Sequence, residues 1–175
     1  KVFCYGEAED SKSIALSFLK GLLSNITDNR INFLNASSIA DERGIVFSHS
    51  YGTDKIPYTN KIKSVVYSGG DSFSVSGSVF DDNFIRITEI MGFDVDLKPQ
   101  GKMLFIKNKD VPGVIGKVGT VLGKDKVNIS GYLLSKVDDK DFAYSVIRID
   151  NIISDQIISN LFEIEELIEI KQLDL

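Results

Sequence analysis

Apolar and polar positions follow two different periods along this chain, and the changes between them mark out its elements. Residues 2–7 read as a short strand. Over 11–26, Ile14, Leu16, Phe18, Leu19, Leu22, Leu23 and Ile26 recur at helical spacing, with Asp10 or Ser11 placed as cap. Residues 32–43 fit a short strand entering a helix that Gly44 ends. Residues 45–50 look extended, and 51–60, with Gly52 and Pro57, read as loop. Four extended runs follow, at 61–67, 72–80, 84–90 and 94–98, parted by Gly69-Gly70, Asp81-Asp82-Asn83 and Met91-Gly92. In the second of them Phe73, Val75, Gly77 and Val79 alternate with serines, the period of a half-buried strand. The pattern predicts an antiparallel meander with helices packed on it, an α+β arrangement.

Pro99-Gln100-Gly101 marks a break, so domains at 1–99 and 100–175 are expected. Beyond it the order is strand 102–108, helix 112–124, strand 128–136, a turn at 138–140, strand 142–149, helix 154–161 and strand 167–173. That succession, β-α-β-β-α-β, is the ferredoxin-like split motif. Its two helices cover one sheet face, so the other face and the edges call for a partner such as a second copy. In the first of these helices Val114, Ile115, Val118, Val121 and Leu122 form the apolar stripe, and Pro112 suits the first turn. Gly116, Gly119 and Gly123 share a line away from that stripe. Each glycine weakens the helix by about 1 kcal/mol relative to Ala. Their alignment therefore predicts close approach by a backbone or a small ligand.

Composition narrows the function. A net charge of −5 over 175 residues argues against sequence-independent nucleic-acid binding, which needs a basic face. No stretch approaches the roughly 20 apolar residues of a membrane span. One Cys and one His leave neither an internal disulfide nor a metal-ligand cluster, and no nucleophile–base set. The chain begins with Lys and carries no signal-peptide pattern, so it reads as a soluble piece of a longer polypeptide from a reducing compartment. Cys4 reads as a small core residue, His49 as an exposed strand-end residue, and Glu163-Ile-Glu-Glu166 as a solvated turn.

A dinucleotide fingerprint is missing as well. Gly113-x-x-Gly116-x-x-Gly119 follows a strand and opens a helix, but its spacing is not G-x-G-x-x-G. Asp150 comes too late to serve as the ribose-binding acid. A site for a small zwitterion fits better. Asp110 lies where a loop enters a helix, so its carboxylate could hold an ammonium group beside backbone N–H groups that favour a carboxylate. Asn128, opening the next strand, offers a donor and an acceptor. The plain alternative is that Asp110 caps its helix and Asn128 shapes a turn. A second candidate pairs Arg86 and Lys98 as cations for a phosphate or carboxylate anion; its alternative is a solvated face partnered by Glu89, Asp94 and Asp96.

The run Asn108-Lys-Asp110-Val-Pro112-Gly113-Val-Ile-Gly116-Lys-Val-Gly119-Thr-Val-Leu-Gly123, closed by Asn128-Ile129, resembles the first strand, loop and helix of an ACT domain, a regulatory module of amino-acid metabolism. Upstream, Asn35-Ala-Ser-Ser-Ile-Ala-Asp-Glu-Arg43-Gly44-Ile45, Tyr58-Thr59-Asn60, Ser76-Gly77-Ser-Val-Phe80 and Gly92-Phe-Asp-Val-Asp96 resemble the C-terminal half of long-form D-3-phosphoglycerate dehydrogenases. The resemblance covers nearly the whole chain. It implies an intervening allosteric substrate-binding domain followed by an ACT domain, with no catalytic site and no cofactor in these residues. NAD would belong to the parent enzyme, a cytoplasmic homo-oligomer of serine biosynthesis. L-serine would bind between the loop of one subunit, Asn108, Asp110, Val111, Pro112 and Gly113, and Asn128 and Ile129 of its partner. At Asn108 the chain departs from relatives that carry His or an aromatic residue. The intervening domain's name implies an anionic ligand, which favours the Arg86 and Lys98 candidate. Two other readings stand beside this one: the regulatory part of an iron–sulfur L-serine dehydratase, and an oligomerisation module without a ligand.

Overall fold

The computed structural model describes residues 1–24, 26–27, 30–54, 56–81, 83–136 and 140–175, in two compact units, Lys1–Gly92 and Phe93–Leu175. The expected turn residues Asp82, Asp138 and Asp139 lie outside the described residues.

In the first unit, β1 (Val2–Gly6) buries Val2 and Cys4, and α1 (Ser11–Ser24) seats Ala15 against them. The Asp10 carboxylate accepts the Ser13 N–H at 3.1 Å, satisfying one of the orphan donors of the helix start. Leu19 and Leu23 of α1 pack on Ala36, Ile39 and Ala40 of α2 (Ala36–Glu42). The short strand expected ahead of α2 does not form. Asn32 Oδ1 instead accepts the N–H groups of Leu34 and Asn35 at 2.8 and 3.0 Å, a local turn that competes with an extended backbone.

Strand β2 (His49–Gly52) starts later than expected, because Ile45 and Phe47 are drawn onto the core instead. It pairs parallel with β1, the α1–α2 segment being the crossover between them. Beside β1, strands β3 (Asn60–Ser68), β4 (Asp71–Phe80) and β5 (Phe84–Ile90) pair antiparallel in succession. Cys4 is fully buried, and His49 is exposed at the head of β2, where its Nδ1 lies 3.0 Å from Ser11 Oγ.

One charged knot stiffens the meander. Lys61 and Lys63 both donate to the Glu89 carboxylate, at 3.1 and 2.6 Å, and that side chain is only 13% exposed. Burial pushes the Glu89 carboxyl up, but the bonds from Lys63 and Lys61 together outweigh it and hold the group below its usual value. A carboxyl lowered on folding adds stability above its unfolded value and loses that contribution as acid protonates it. The chain is therefore expected to lose stability as the pH falls below about 4.5, the ordinary Glu value. Glu89→Gln should flatten that part of a denaturant-midpoint-versus-pH curve. An unchanged slope would mean that other carboxylates carry it.

The second unit holds β6 (Phe93–Leu97), β7 (Lys102–Lys109), α3 (Val114–Lys124), β8 (Ile129–Lys136), β9 (Phe142–Ile149), α4 (Asp155–Phe162) and β10 (Leu167–Asp174). The strand order β10-β7-β9-β8, antiparallel at each pairing, is the ferredoxin-like sheet. Val114, Val118 and Leu122 from α3 and Leu161 from α4 pack on Leu104, Ile106 and Ile147. The opposite face was expected to stand open. Phe93 instead packs on it, with its ring 4.6 Å from Tyr144, and Phe105 stacks on Tyr144 at 4.9 Å. Strand β8 remains an edge of the sheet.

Candidate functional site

A cleft of about 400 Å³ opens at the N-terminus of α3, between that helix and the end of β8. It is lined by Asn108, Asp110, Val111, Pro112 and Gly113, and by Leu134 and Lys136 from β8. Five of the expected effector residues thus converge on one hollow. Register explains why: Asn108 and Lys136 both pair with Ala143, one from each side of β9, so the loop after β7 and the end of β8 share one edge of the sheet.

The loop is held by its backbone. Lys109 N–H donates to Glu166 O at 2.8 Å and Asp110 N–H to Asp141 O at 3.0 Å. Pro112 falls just before the helix rather than in its first turn, because Gly113 is the N-cap with φ 95°, a left-handed backbone that favours glycine. No side chain caps α3. Asp110 is therefore not the helix cap, and the first N–H groups of α3 have no intrahelical partner. The Asp110 carboxylate meets Lys136 Nζ at 3.4 Å, an exposed pair. The hollow thus presents one carboxylate, one ammonium and a helix N-terminus, a set that matches both ends of an α-amino acid.

Asn128 and Ile129 lie elsewhere in the chain. Ile129 and Lys102 both pair with Ile149, which puts the start of β8 at the far end of the sheet from Asn108. Eight residues of strand separate the two places, more than about 20 Å. There Asn128 Nδ2 donates to Asp150 Oδ2 at 2.8 Å. Nor, among the described residues outside the backbone of α3, does anything approach the glycine line: an added Cβ at Gly116, Gly119 or Gly123 would have no such neighbour within 4 Å.

Arg86 sits half-buried on β5, in register with Ser78, in the first unit. Lys98 is exposed in the second unit, and its carbonyl accepts a bond from Arg148. The acidic turn is less solvated than expected. Ile164 is buried, and Glu166 bonds Lys117 at 2.5 Å, which holds its carboxyl below the usual range. Sequence reading missed Lys136, Tyr132 and Ser145 near the cleft. The available signal for Ser145 was its place as the lone small hydroxyl within the apolar run 143–147.

The fold defines a chain of two α+β units, the second of them ferredoxin-like. A family model for the D-3-phosphoglycerate dehydrogenase intervening domain matches residues 4–91, all within the first unit, and the chain belongs to that family. The chain is also similar to D-3-phosphoglycerate dehydrogenases along most of its length. It is 30% identical over 166 residues to that of Bacillus subtilis, which covers 95% of this chain and 32% of the relative. It is 32% identical over 142 residues to that of Archaeoglobus fulgidus, covering 80% of this chain and 27% of the relative. With the Synechocystis enzyme it shares 28% over 158 residues, 90% of this chain and 28% of the relative. The chain thus spans about a third of the length of these relatives. Among its described residues no helix is long and apolar enough to cross a membrane.

Proposed function

We propose that this chain is the regulatory region of a cytoplasmic D-3-phosphoglycerate dehydrogenase, that its domains fall at 1–99 and 100–175, and that the second is an ACT domain binding L-serine. The observation that carries the reading is the cleft at α3, where Asp110 and an uncapped helix N-terminus stand together. Asp110 takes the ammonium group of serine in place of Lys136, and the helix N-terminus takes the carboxylate. Asn128 and Ile129 reach this cleft from a second copy. Pairing edge strand β8 antiparallel with its two-fold mate sets the start of one β8 beside the end of the other. The glycine line of α3 gives the two copies room to approach.

A role in dinucleotide binding is not supported by these residues. The strand–helix unit that carries Gly113 belongs to a sheet paired antiparallel throughout, not to a parallel βαβ unit with an acid on its second strand. NAD is accordingly assigned to the rest of the parent enzyme, which would oxidise 3-phosphoglycerate at the head of serine synthesis. Arg86 and Lys98 are kept as a candidate pair for a phosphate or carboxylate anion.

Calorimetric titration of L-serine into the chain, at concentrations where it self-associates, tests the reading. Saturable binding near one serine per chain is expected. No heat from serine, with the protein folded and associated, would sink it.

A further inference from the structure

Behind the cleft lies a short relay of hydroxyls on the helix side of the sheet. Tyr132 of β8 donates its O–H to Ser145 Oγ at 3.2 Å, and Ser145 of β9 donates in turn to Asn108 Oδ1 at 3.2 Å. Asn108 Nδ2 donates to the Lys109 carbonyl at 2.8 Å. The relay is dry: Ser145 is 0% and Asn108 4% exposed. A carbonyl oxygen only accepts, so the amide atom beside Lys109 O has to be the nitrogen, and the oxygen has to face Ser145. The orientation of the Asn108 amide is therefore fixed from both ends.

We propose that Ser145, backed by Tyr132, is a specificity-determining positioning residue for the α3 cleft. By holding the Asn108 oxygen inward it leaves N–H as the group that Asn108 offers the ligand, and so selects an effector bearing a carboxylate. The inference rests on the reading of this cleft as an amino-acid site.

Asn108 lines the cleft; its oxygen is bonded by Ser145 of β9, and its nitrogen bonds the carbonyl of Lys109, next to the 110–113 loop. One of its two N–H bonds is taken by Lys109 O, and among the described residues the other has no partner. With the α3 N-terminus, that N–H supplies donors to the hollow, and Asp110, 3.4 Å from Lys136 Nζ, supplies the acceptor. Burial pushes the Tyr132 phenol up, against the smaller effect of its bond to Ser145, so it stays protonated and donating across neutral pH. Without the Ser145 hydroxyl, the buried Asn108 oxygen loses its donor, and the amide is no longer held with nitrogen outward.

Calorimetry on the full chain with L-serine and L-serinamide, which lacks the carboxylate, reads the effect as a ratio. Wild type is expected to bind serine at least ten-fold more tightly than serinamide. Ser145→Ala should cut serine affinity about ten-fold with little change for serinamide, so the ratio collapses. Tyr132→Phe, which removes one hydroxyl at a half-buried position, should move the ratio in the same direction by less. A general loss of packing would weaken both ligands alike and leave the ratio in place. In the unliganded wild type, the Asn108 side-chain amide protons should exchange slowly with solvent by NMR, and in Tyr132→Phe faster. An unchanged ratio in both variants, or fast exchange in the wild type, overturns the inference while leaving the effector site standing. Failure of wild type to bind serine removes the site and the inference together.

Discussion

Asp110→Asn should lower L-serine affinity ten- to a hundred-fold and leave the melting temperature nearly where it was. Losing one charge-assisted bond to the bound ligand costs about 1.5–3 kcal/mol, which is that range of affinity. The structure separates this loss from folding. Gly113, not Asp110, is the N-cap of α3, so no cap is removed. The Lys136 pair that disappears is solvent-exposed at 3.4 Å and worth under about 1 kcal/mol. Asn keeps the shape of Asp and still accepts a hydrogen bond, so only the charge is tested. Calorimetry beside thermal unfolding gives both readouts. Equal serine affinity in variant and wild type would mean that the ammonium is held elsewhere.

On the proposed two-fold pairing, Gly119→Glu should yield single chains of 19.4 kDa by light scattering, with helical circular dichroism intact. Glu is a better helix former than Gly by roughly 0.5–1 kcal/mol, and among the described residues outside the backbone of α3 nothing lies within 4 Å of the new Cβ. The substitution is therefore favourable to a lone chain. Gly119 lies one turn on from Ile115, which is 48% exposed, on the same side of α3. If the two-fold contact runs along that side, each chain meets the other's new carboxylate there, where like charges repel. An unchanged mass would place the contact on another surface.

The second unit was legible in the sequence because each of its elements satisfies several rules together. Helix α3 has an apolar stripe at helical spacing, a proline before it, and turn residues after it. Strand β9 reads as a continuous apolar run because it lies in the middle of the sheet. The first unit was harder. An extended segment at 45–50 carries the same alternation whether it pairs in a sheet or only leans on a core, and Ile45 and Phe47 do the second. The parallel pairing of β2 depends on a crossover, which no local pattern announces. The cleft was half legible. Asp110, Pro112 and Gly113 are contiguous, and a motif can name them. Lys136, Tyr132 and Ser145 arrive through strand register across more than 20 residues of chain, and their residue types alone say nothing of the meeting.

On the proposed pairing, the separation of Asp110 and Asn128 to opposite ends of one sheet would make ligand affinity a property of protein concentration. On the proposed pairing, a two-fold axis through β8 completes two identical hollows at once, one at each end of the joined edge, and a lone chain possesses neither in full. Serine then acts as a bivalent cement. Each molecule bound shifts chains toward pairs by mass action, and dilution weakens serine binding without any change in the residues that touch it. The sensor in this arrangement registers how much enzyme is assembled as well as how much serine is present.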